Sequence, residues 1–477
     1  MPEDQSSPRR HLPGQELRTR AGRTLRARST PRFPVGAPGD ENGPADLHAR
    51  QVIDLSLRVG EAMLATGASA ADVTALVLRM TRAYGVRSVQ VDVTYTSLTI
   101  SYHRGALRDP MTVMRIVPAS QVDYSRLEQL HDLVREVTAG SLDPAAARNR
   151  LETVLAAPHP YYRITVTCAM GLLGAAVAAL LGGDLLLIVL CGVIAAVVDR
   201  AQRWLSMHGI AAFFCQAIGA AIPTSIALGI NTLGEHGWHV WRHEPASVVV
   251  ASGVVVLLAG LSLVSAAQDT IDGFYVTASA RLMEVILLSG GVVLGVIGTL
   301  ALAKRLGARL AISPAVSFSP HLLLAAVAAA AISAAFAITA YAGRRATALA
   351  AVAGAVAWVV YEVAEHATGS APAASAVAAL IVGVFAQAVA WRFRVPALAV
   401  ATSGIVVLLP GLAVYRGVFQ IVQHESSSAG MNTLFGAAAI GLALASGVTL
   451  GALPSRVLRA DRTQKRIMRR SLGDTRN

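Results

Sequence analysis

The sequence predicts a multi-span α-helical membrane protein, with ten transmembrane helices in a five-plus-five, inverted repeat that follows a small N-terminal cytoplasmic α+β domain. Three observations support this fold class. The chain is 54% hydrophobic and only 15% charged, whereas soluble proteins average about 25% charged residues. Ten apolar segments follow residue 160, most of them long enough to cross a hydrocarbon layer of about 30 Å. Short sequences from the first five segments return in the same order in the second five.

Residues 1–48 are a leader rich in Arg, Pro, Gly and Ser. This composition buries little apolar surface, so we expect disorder, and it lacks the apolar core of a secretory signal. The leader and a basic cytoplasmic tail, residues 456–477, account for much of the net charge of +12. Beside many apolar segments, basic clusters are typical of cytoplasmic termini in contact with a lipid bilayer. We therefore expect no nucleic-acid partner.

Residues 49–158 are predicted to fold as a cytoplasmic α+β domain. Two segments of helical periodicity flank Thr66–Ala68, and Ser69 can cap the second of them. From Val89 to Tyr102 the period becomes two, which is typical of paired strands. A third strand is predicted at Val113–Val117, and helices at Tyr124–Thr138 and Pro144–Ala156. The domain is amphipathic but too charged to cross lipid.

Two transmembrane units follow, residues 159–305 and residues 306–455, and each contains five predicted spans. They are Ile164–Gly182, Leu185–Ala201, Ile210–Ile230, Ser247–Ala267 and Ala280–Ala303 in the first unit, and Leu322–Tyr341, Thr347–Val363, Ala373–Trp391, Ala397–Val414 and Thr433–Leu453 in the second. An odd number of helices per unit places the two units in opposite orientations. Many secondary transporters are built in this way, and their substrate lies near the midplane between the units.

Charges in the short loops orient these spans, because positive residues are retained on the cytoplasmic side. With the N-terminus inside, the cytoplasmic loops carry Arg200/Arg203, Arg344/Arg345 and Arg392/Arg394. The opposite loops carry Asp184, the Glu235–Glu244 segment, Glu362/Glu365 and His424/Glu425. Lys304, Arg305 and Arg309, next to Pro314, violate the rule. We expect a multi-pass protein of the cytoplasmic (inner) membrane with both termini in the cytoplasm.

Three echoes between the units indicate a duplication. GVIAAVV at Gly192–Val198 returns as GAVAWVV at Gly354–Val360, FFCQA at Phe213–Ala217 as VFAQA at Val384–Ala388, and LLAGL at Leu257–Leu261 as LLPGL at Leu408–Leu412. Each echo is weak alone, because helices rich in Ala, Gly and Val resemble one another by chance. Their shared order is what favours a repeat.

Proline and glutamine residues inside the spans are the first candidates for a substrate pathway. Pro223 and Pro410 free backbone polar groups, which a membrane tolerates where they line a cavity or find a partner. Gln216 and Gln387 lie at echoing positions and offer amides to a substrate. The alternative is that these residues only form kinks and interhelical contacts.

A second candidate set lies between the fourth and fifth spans: Gln268, Asp269, Asp272, Tyr275, Arg281 and Glu284. Each ionised side chain at the centre of a membrane helix costs about 2.5–3.5 kcal/mol. These charges should therefore lie at a membrane face, line a watery cavity or neutralise one another. An amino-acid zwitterion needs carboxylates for its ammonium and donors such as Arg281 for its carboxylate. The alternative is a cytoplasmic loop with solvated charges.

A carboxylate in a site of low dielectric constant is protonated more easily, so this set could also carry a proton. Asp199 and Arg200, at the end of the second span, are instead predicted to form an interfacial pair.

Motifs for other chemistries are missing from the sequence. It contains no GxxxxGK[ST] motif for nucleotide hydrolysis, no GxSxG and no HExxH. The histidines and the three cysteines lack metal-ligand and disulfide spacing, so we expect no metal and no cofactor. His103, Ser101 and Asp92 are a conceivable hydrolytic set, but strand residues at this spacing more often belong to a polar sheet face.

From Asp54 to Leu453 the chain resembles the bacterial threonine/serine exporters. The resemblance rests on LSLRVGEAMLATGASAADVTALVLRMTRAYGV with Gly60, Gly67 and Gly85, on SVQVDVTYTSLTISY, and on GLSLVSAAQDTIDGFYVTASARLMEVILLSGGVVLGV. It implies an inner-membrane carrier that exports threonine and serine, is driven by the proton motive force and has a cytoplasmic N-terminal domain. The second unit departs from the first, with QIVQHESSSAG in place of AAQDTIDGFYVTA.

The sequence thus predicts a transporter and not an enzyme, with threonine and serine as substrates and protons as the coupling ion. A homo-oligomer is compatible with it. The alternative is a membrane-anchored hydrolase or regulatory protein whose spans are mainly an anchor. A channel is a third reading, distinguished by the absence of proton coupling.

Overall fold

The computed structural model describes residues 46–103, 109–117, 122–235, 246–257, 260–305, 321–393, 395–422 and 427–473. Several predictions concern residues outside these ranges and stay predictions: residues 1–45 of the leader, residues 236–245, Arg309, Pro314, Arg394, His424 and Glu425. The last three residues of the predicted leader, 46–48, are helical, which corrects the expected disorder there.

The chain begins with an α+β region, residues 46–156. Its elements are α1 (Asp46–Ala65), α2 (Ala70–Ala83), β1 (Val89–Val93), β2 (Ser97–Tyr102), β3 (Met111–Ile116), α3 (Tyr124–Thr138) and α4 (Pro144–Ala156). The strands form an antiparallel sheet in the order β1-β2-β3. The predicted helices and strands are present, and the third strand starts two residues earlier than predicted.

Local chemistry explains where these helices start. The Ser69 hydroxyl accepts a hydrogen bond from the Asp72 amide at the start of α2, and Asp123 and Asp143 cap α3 and α4 in the same way. The turn before α2 needs Gly67, whose φ of +92° disfavours other residues. One face of β1 and β2 is buried beneath the helices, so the strands alternate buried and open residues.

A helical region follows, residues 163–473. Its helices are α5 (Arg163–Leu180), α6 (Leu185–Met207), α7 (Ala212–Glu235), α8 (Ala246–Val255), α9 (Gly260–Ile271), α10 (Tyr275–Arg305), α11 (Leu322–Thr339), α12 (Arg344–Thr368), α13 (Ala371–Phe393), α14 (Ala397–Ile405), α15 (Gly411–Val422) and α16 (Ser427–Gly473). Within the described ranges, eight helices are long and apolar enough to cross a membrane. The number rises to ten if each of two bent pairs is one span. This is a multi-pass membrane protein.

The two bent pairs are the fourth and ninth predicted spans, which the sequence had presented as single helices. The axes of α8 and α9 meet at 49°, and those of the α14 segment and α15 at 43°. A 3₁₀ turn at Val406–Leu408 precedes the second bend, where Pro410 cannot continue the ladder of helical hydrogen bonds.

The arginines that oriented the spans lie in helix ends and not in loops, which corrects the prediction. Arg200 and Arg203 belong to the last turns of α6, Arg344 and Arg345 open α12, and Arg392 ends α13. Helices that extend beyond the hydrocarbon layer can carry their charges into the headgroup region.

Small residues determine how closely the helices approach. A Cβ on Gly192 would lie 3.2 Å from both the carbonyl oxygen of Gly171 and the Cβ of Ala175, so the backbones of α5 and α6 approach closely because Gly192 has no side chain. The crossing of α11 and α12 brings Ser333 against Gly354. In α10, Gly291 and Gly295 lie against the backbone of α7; in α16, Gly447 and Gly451 lie against α13. Such approaches drive helix association in lipid, where the hydrophobic effect is absent.

Two large apolar cores hold the molecule together. One runs through the helical region and includes residues of every helix from α5 to α16. The other is the core of the α+β region, and it continues into the helical region through Ala337, Ala340, Ala342, Ala346, Ala350 and Ala399. The two regions therefore share buried apolar surface.

Candidate functional site

The two bends of the helical region meet each other. A Cβ on Gly260, the first residue of α9, would lie 3.0 Å from Cβ of Leu409 and 3.3 Å from the backbone nitrogen of Gly411. Gly411 is the first residue of α15. Two helix N-termini thus abut inside the protein, and each N-terminus carries a partial positive charge from its free N–H groups. We call this place the crossing.

The sequence around the crossing repeats further than LLAGL and LLPGL. Residues 252–261 read SGVVVLLAGL and residues 403–412 read SGIVVLLPGL, differing at two positions. Sequence reasoning missed this longer match, which could have been found by aligning the two spans from end to end. The buried serines Ser252 and Ser403 stand at matching positions.

Unpaired hydroxyl groups lie on both sides of the second bend. Among the described residues, the hydroxyls of Ser403 and Tyr415 have no hydrogen-bond partner, although their residues are only 0% and 6% exposed. Ser403 belongs to α14, before the bend, and Tyr415 to α15, one turn after it. Buried polar groups without a partner are uncommon and call for an explanation such as a ligand or ordered water.

An amide pair lies beside the first bend. The side-chain nitrogen of Gln202 donates to the side-chain oxygen of Gln216 over 3.2 Å. A Cβ on Gly219 would lie 3.0 Å from the Gln202 amide and 3.1 Å from Leu257, the last described residue before the bend. Gln216 thus lies near the crossing, and its partner Gln202 was not predicted.

Gln387 does not take the position that corresponds to Gln216, its supposed counterpart. Gly295 lies against Ala217 and Gly451 against Leu380, so Gln387 lies about two helical turns beyond the position that matches Gln216. Pro410 is buried at the crossing itself.

Pro223 lies inside α7 without ending it, and its ring packs on Gly253 of α8. Proline has no N–H for the carbonyl four residues earlier, which here belongs to Gly219. The carbonyl that loses this hydrogen bond therefore lies next to the Gln202–Gln216 pair.

The predicted polar set between α9 and α10 is a contact with the α+β region. Asp269 is 1% exposed, and its carboxylate lies 2.9 Å from the Nε atom of Arg281. The backbone amide of Ala70, in the first turn of α2, is also a hydrogen-bond partner of this carboxylate. One buried carboxylate thus joins two helices and neutralises one arginine. The alternative of a loop with solvated charges is wrong for Asp269.

The β1–β2 turn completes this contact. The Tyr95 ring lies 5.9 Å from the Arg281 guanidinium, and its hydroxyl is hydrogen-bonded to Glu284. Burial and the neighbouring Glu284 raise the pKa of Tyr95, so its hydroxyl stays protonated and can donate. The Thr277 hydroxyl donates to the Val93 carbonyl over 3.4 Å. We call Tyr95, Asp269, Thr277, Arg281 and Glu284 the polar joint.

The other members of the predicted set lie outside the polar joint. Gln268 and Asp272 are half-buried near it, and Tyr275 is 70% exposed at the start of α10. The joint's partners in the α+β region, Tyr95 and Ala70, are about 170 to 200 positions away from Asp269 and Arg281 in the sequence, so no local pattern could reveal them.

Asp199 forms a second buried polar contact, and its predicted partner was wrong. Its carboxylate accepts hydrogen bonds from Thr167 over 2.7 Å and from Arg203 over 3.0 and 3.1 Å. Arg200 is exposed. An i, i+4 spacing puts Arg203, and not Arg200, on the same helix face as Asp199.

The hydrolytic set proposed as an alternative lies on the sheet. Ser101 is hydrogen-bonded to Thr112 of the neighbouring strand over 2.9 Å, and Asp92 points to the open face of β1. The Ser101–Thr112 hydrogen bond and the open position of Asp92 are typical of a polar sheet face.

Sequence comparisons show which known proteins the chain is similar to. The family model "Putative threonine/serine exporter" matches residues 54–303, and "Threonine/Serine exporter, ThrE" matches residues 322–453. A protein of Mycobacterium tuberculosis (strain ATCC 25618 / H37Rv) named "Probable threonine/serine exporter" is 34% identical over 90% of this chain and 81% of its own length. The "Threonine/serine exporter" of Corynebacterium glutamicum is 32% identical over 86% of this chain and 83% of its own length. No solved structure matches the chain.

Many apolar spans, two of them bent at breaks that meet in the interior, define a membrane transporter and not an enzyme. The chain belongs to the threonine/serine exporter family.

Proposed function

We propose that this chain exports threonine and serine across the cytoplasmic membrane, driven by the proton motive force. The relatives' names support the substrates. The meeting of the two bent spans is the observation that supports a carrier, because discontinuous helices are where many secondary transporters bind their substrate. The sequence has no nucleotide-hydrolysis motif, which favours an ion gradient as the energy source.

The proposed architecture is an inverted repeat of five spans, with residues 159–305 and 306–455 as the two units. Recurring contacts support it. Gly171 and Gly192 match Ser333 and Gly354 at the same separation along the chain. Each pair lies where the first two helices of a unit contact each other. Gly253 and Gly404 likewise pack each unit's bent span against its second and third helices.

Both termini are proposed to be cytoplasmic. The α+β region contacts the α9–α10 turn, the α11–α12 turn and the start of α14. If all ten spans cross, these three segments lie on one side of the membrane, together with both ends of the chain. That common side supports a cytoplasmic domain within residues 49–158 and a cytoplasmic tail.

The crossing is the proposed substrate site. The abutting N-termini of α9 and α15 can attract the carboxylate of an amino acid. The hydroxyls of Ser403 and Tyr415 and the Gln202–Gln216 amides can bind its ammonium and side-chain hydroxyl. A site that binds a substrate hydroxyl rejects analogues that lack one, because its own polar groups are then left unpaired.

The buried carboxylate of Asp269 is the proposed proton carrier. It is paired with Arg281. Protonation would remove the negative charge and release the arginine, so proton binding would change the contacts between helices.

The test is efflux from cells loaded with threonine- or serine-containing dipeptides, with and without an uncoupler. We expect the cells to export the amino acid and the uncoupler to abolish this export. Cells that do not produce this chain should show no such export. Efflux that follows the concentration gradient and ignores the uncoupler would identify a channel. No efflux of either amino acid would remove the proposed function.

A further inference from the structure

The α+β region contacts both halves of the helical region, but by different chemistry. Its apolar core continues into α11, α12 and α14, all of the second half, through six buried alanines: Ala337, Ala340, Ala342, Ala346, Ala350 and Ala399. A backbone hydrogen bond adds to this surface: the Tyr124 amide donates to the Ala340 carbonyl over 2.9 Å. In the segment that joins α4 to α5, the Tyr161 hydroxyl donates to the Ala342 carbonyl over 2.9 Å.

The contact with the first half is the polar joint. Across this contact, the Tyr95 ring lies over the Arg281 guanidinium, and hydrogen bonds join Tyr95 to Glu284, Thr277 to Val93 and the Ala70 amide to the Asp269 carboxylate. The Asp269–Arg281 ion pair lies within the first half. Phe274, in the α9–α10 turn, is the first-half side chain that packs against the core of the α+β region among the described residues.

These two contacts differ in what separation costs. Apolar surface exposed to water loses its contacts with nothing to replace them. Polar groups exchange their protein partners for water, so the net loss for each hydrogen bond is small. The Asp269–Arg281 ion pair lies within the first half and does not have to break. The polar joint is therefore the contact that can open and close repeatedly while the apolar contact persists.

The polar joint is also connected to the crossing. Asp269 lies near the C-terminal end of α9, and Gly260, at the other end of this 12-residue helix, lies at the crossing. A helix of this length spans about 18 Å. Opening the polar joint would release the C-terminal end of α9, whose N-terminal end lies in the proposed substrate site.

We propose that the α+β region moves together with the second half, and that the polar joint is the cytoplasmic gate that opens in each export cycle. This inference rests on the proposed export function, because a gate has meaning only for a carrier.

Reversible cross-linking tests the proposal. In a background of Cys168→Ser, Cys191→Ala and Cys215→Ala, the pair Tyr95→Cys and Glu284→Cys is linked with a short bis-methanethiosulfonate reagent. We expect the link to abolish threonine efflux and a thiol reductant to restore it. The matched control is His159→Cys with Tyr341→Cys. His159 lies in the segment that joins α4 to α5, 3.1 Å from the Asp123 carboxylate of the α+β region, and its ring stacks at 4.4 Å on the ring of Tyr341 in the second half. Linking the control pair should leave efflux within about twofold of the reduced protein.

Unchanged efflux after linking the polar joint would overturn the proposal, and so would a block by the control link. Efflux from the reduced proteins tests the export function separately, so the two failures can be told apart. Lack of any link at the Tyr95/Glu284 pair would overturn the contact itself.

A second measurement does not require export. In sealed vesicles, we expect threonine at the cytoplasmic side to raise the rate of maleimide labelling of Tyr95→Cys severalfold and to leave that of Tyr341→Cys unchanged. Equal responses at the two positions would overturn the proposal even if a cross-linked protein failed to fold.

Discussion

The Asp269 side chain serves two roles with one carboxylate. It neutralises Arg281 and accepts a hydrogen bond from the first turn of α2. A buried charge needs such partners because the protein interior solvates it poorly.

Removing this charge should destabilise the protein. In Asp269→Asn the amide can still bind the Ala70 amide, but Arg281 loses its counter-charge. Breaking a buried pair costs about 3–5 kcal/mol. Arg281 keeps 21% of its side-chain surface exposed, so we expect a loss near the lower figure. Thermal unfolding in detergent measures it.

The matched control is Asp272→Asn, in the same turn, which leaves the Asp269–Arg281 pair in place. The double variant Asp269→Asn/Arg281→Gln should recover part of the stability, because neither charge is left alone. Equal destabilisation by the two single variants would contradict this account of Asp269.

The unpaired hydroxyls at the crossing make a different prediction. Ser403→Ala and Tyr415→Phe remove groups that have no partner among the described residues, so folding should be unharmed. Threonine efflux should nevertheless fall about tenfold, as for the loss of about 1.4 kcal/mol of substrate binding. Thr224→Val is the control, because its hydroxyl bonds to the Ala220 carbonyl of its own helix. Wild-type efflux from both test variants would remove these hydroxyls from the site.

Several helices of this protein contact one another through glycines. In α10, one glycine lies in such a contact and another, Gly298, does not, so the two can be compared. A Cβ on Gly295 would lie 2.0 Å from the Ala217 carbonyl oxygen, whereas a Cβ on Gly298 would meet open space. Gly295→Ala must therefore push α10 away from α7, at a cost of about 1–3 kcal/mol.

Gly298→Ala adds the same atom to the same helix about one turn further along, where nothing lies within 4 Å of the new Cβ, so we expect no loss of stability. Thermal unfolding of the two variants in detergent compares them directly. A similar loss in both would contradict the close contact of α10 with α7.

The sequence predicts the elements because their signals are local. Apolar runs give the spans, and alternation at Val89–Tyr102 gives the strands. The bend between α8 and α9 was missed because SGVVVLLAGL contains no proline and reads as one continuous apolar helix. The bend before α15 has a local signal in the sequence, Pro410, which interrupts the helical hydrogen bonds. The partners of Asp269 were missed because contacts between distant segments leave no local pattern.

At the scale of the whole molecule, the α+β region covers apolar atoms of α11, α12 and α14. Deleting residues 1–158 would expose Ala340, Ala346 and Ala399, which are at most 3% exposed in the full chain. We therefore expect the truncated protein to lose threonine efflux and to aggregate when it is solubilised.

Deleting residues 1–44 is the control, because it leaves every described helix in place. Size-exclusion chromatography and efflux compare the two truncations. Full export from the shorter protein would contradict the structural role of the α+β region.

The shared core also constrains how the chain is made. Residues 46–156 leave the ribosome first, but their core is completed by Ala399, which is synthesised about 240 residues later. At about 5–20 residues per second, this interval lasts roughly 10–50 s. During translation, part of the apolar surface of the N-terminal segment therefore stays exposed to chaperones and proteases until the ninth span has been inserted into the bilayer.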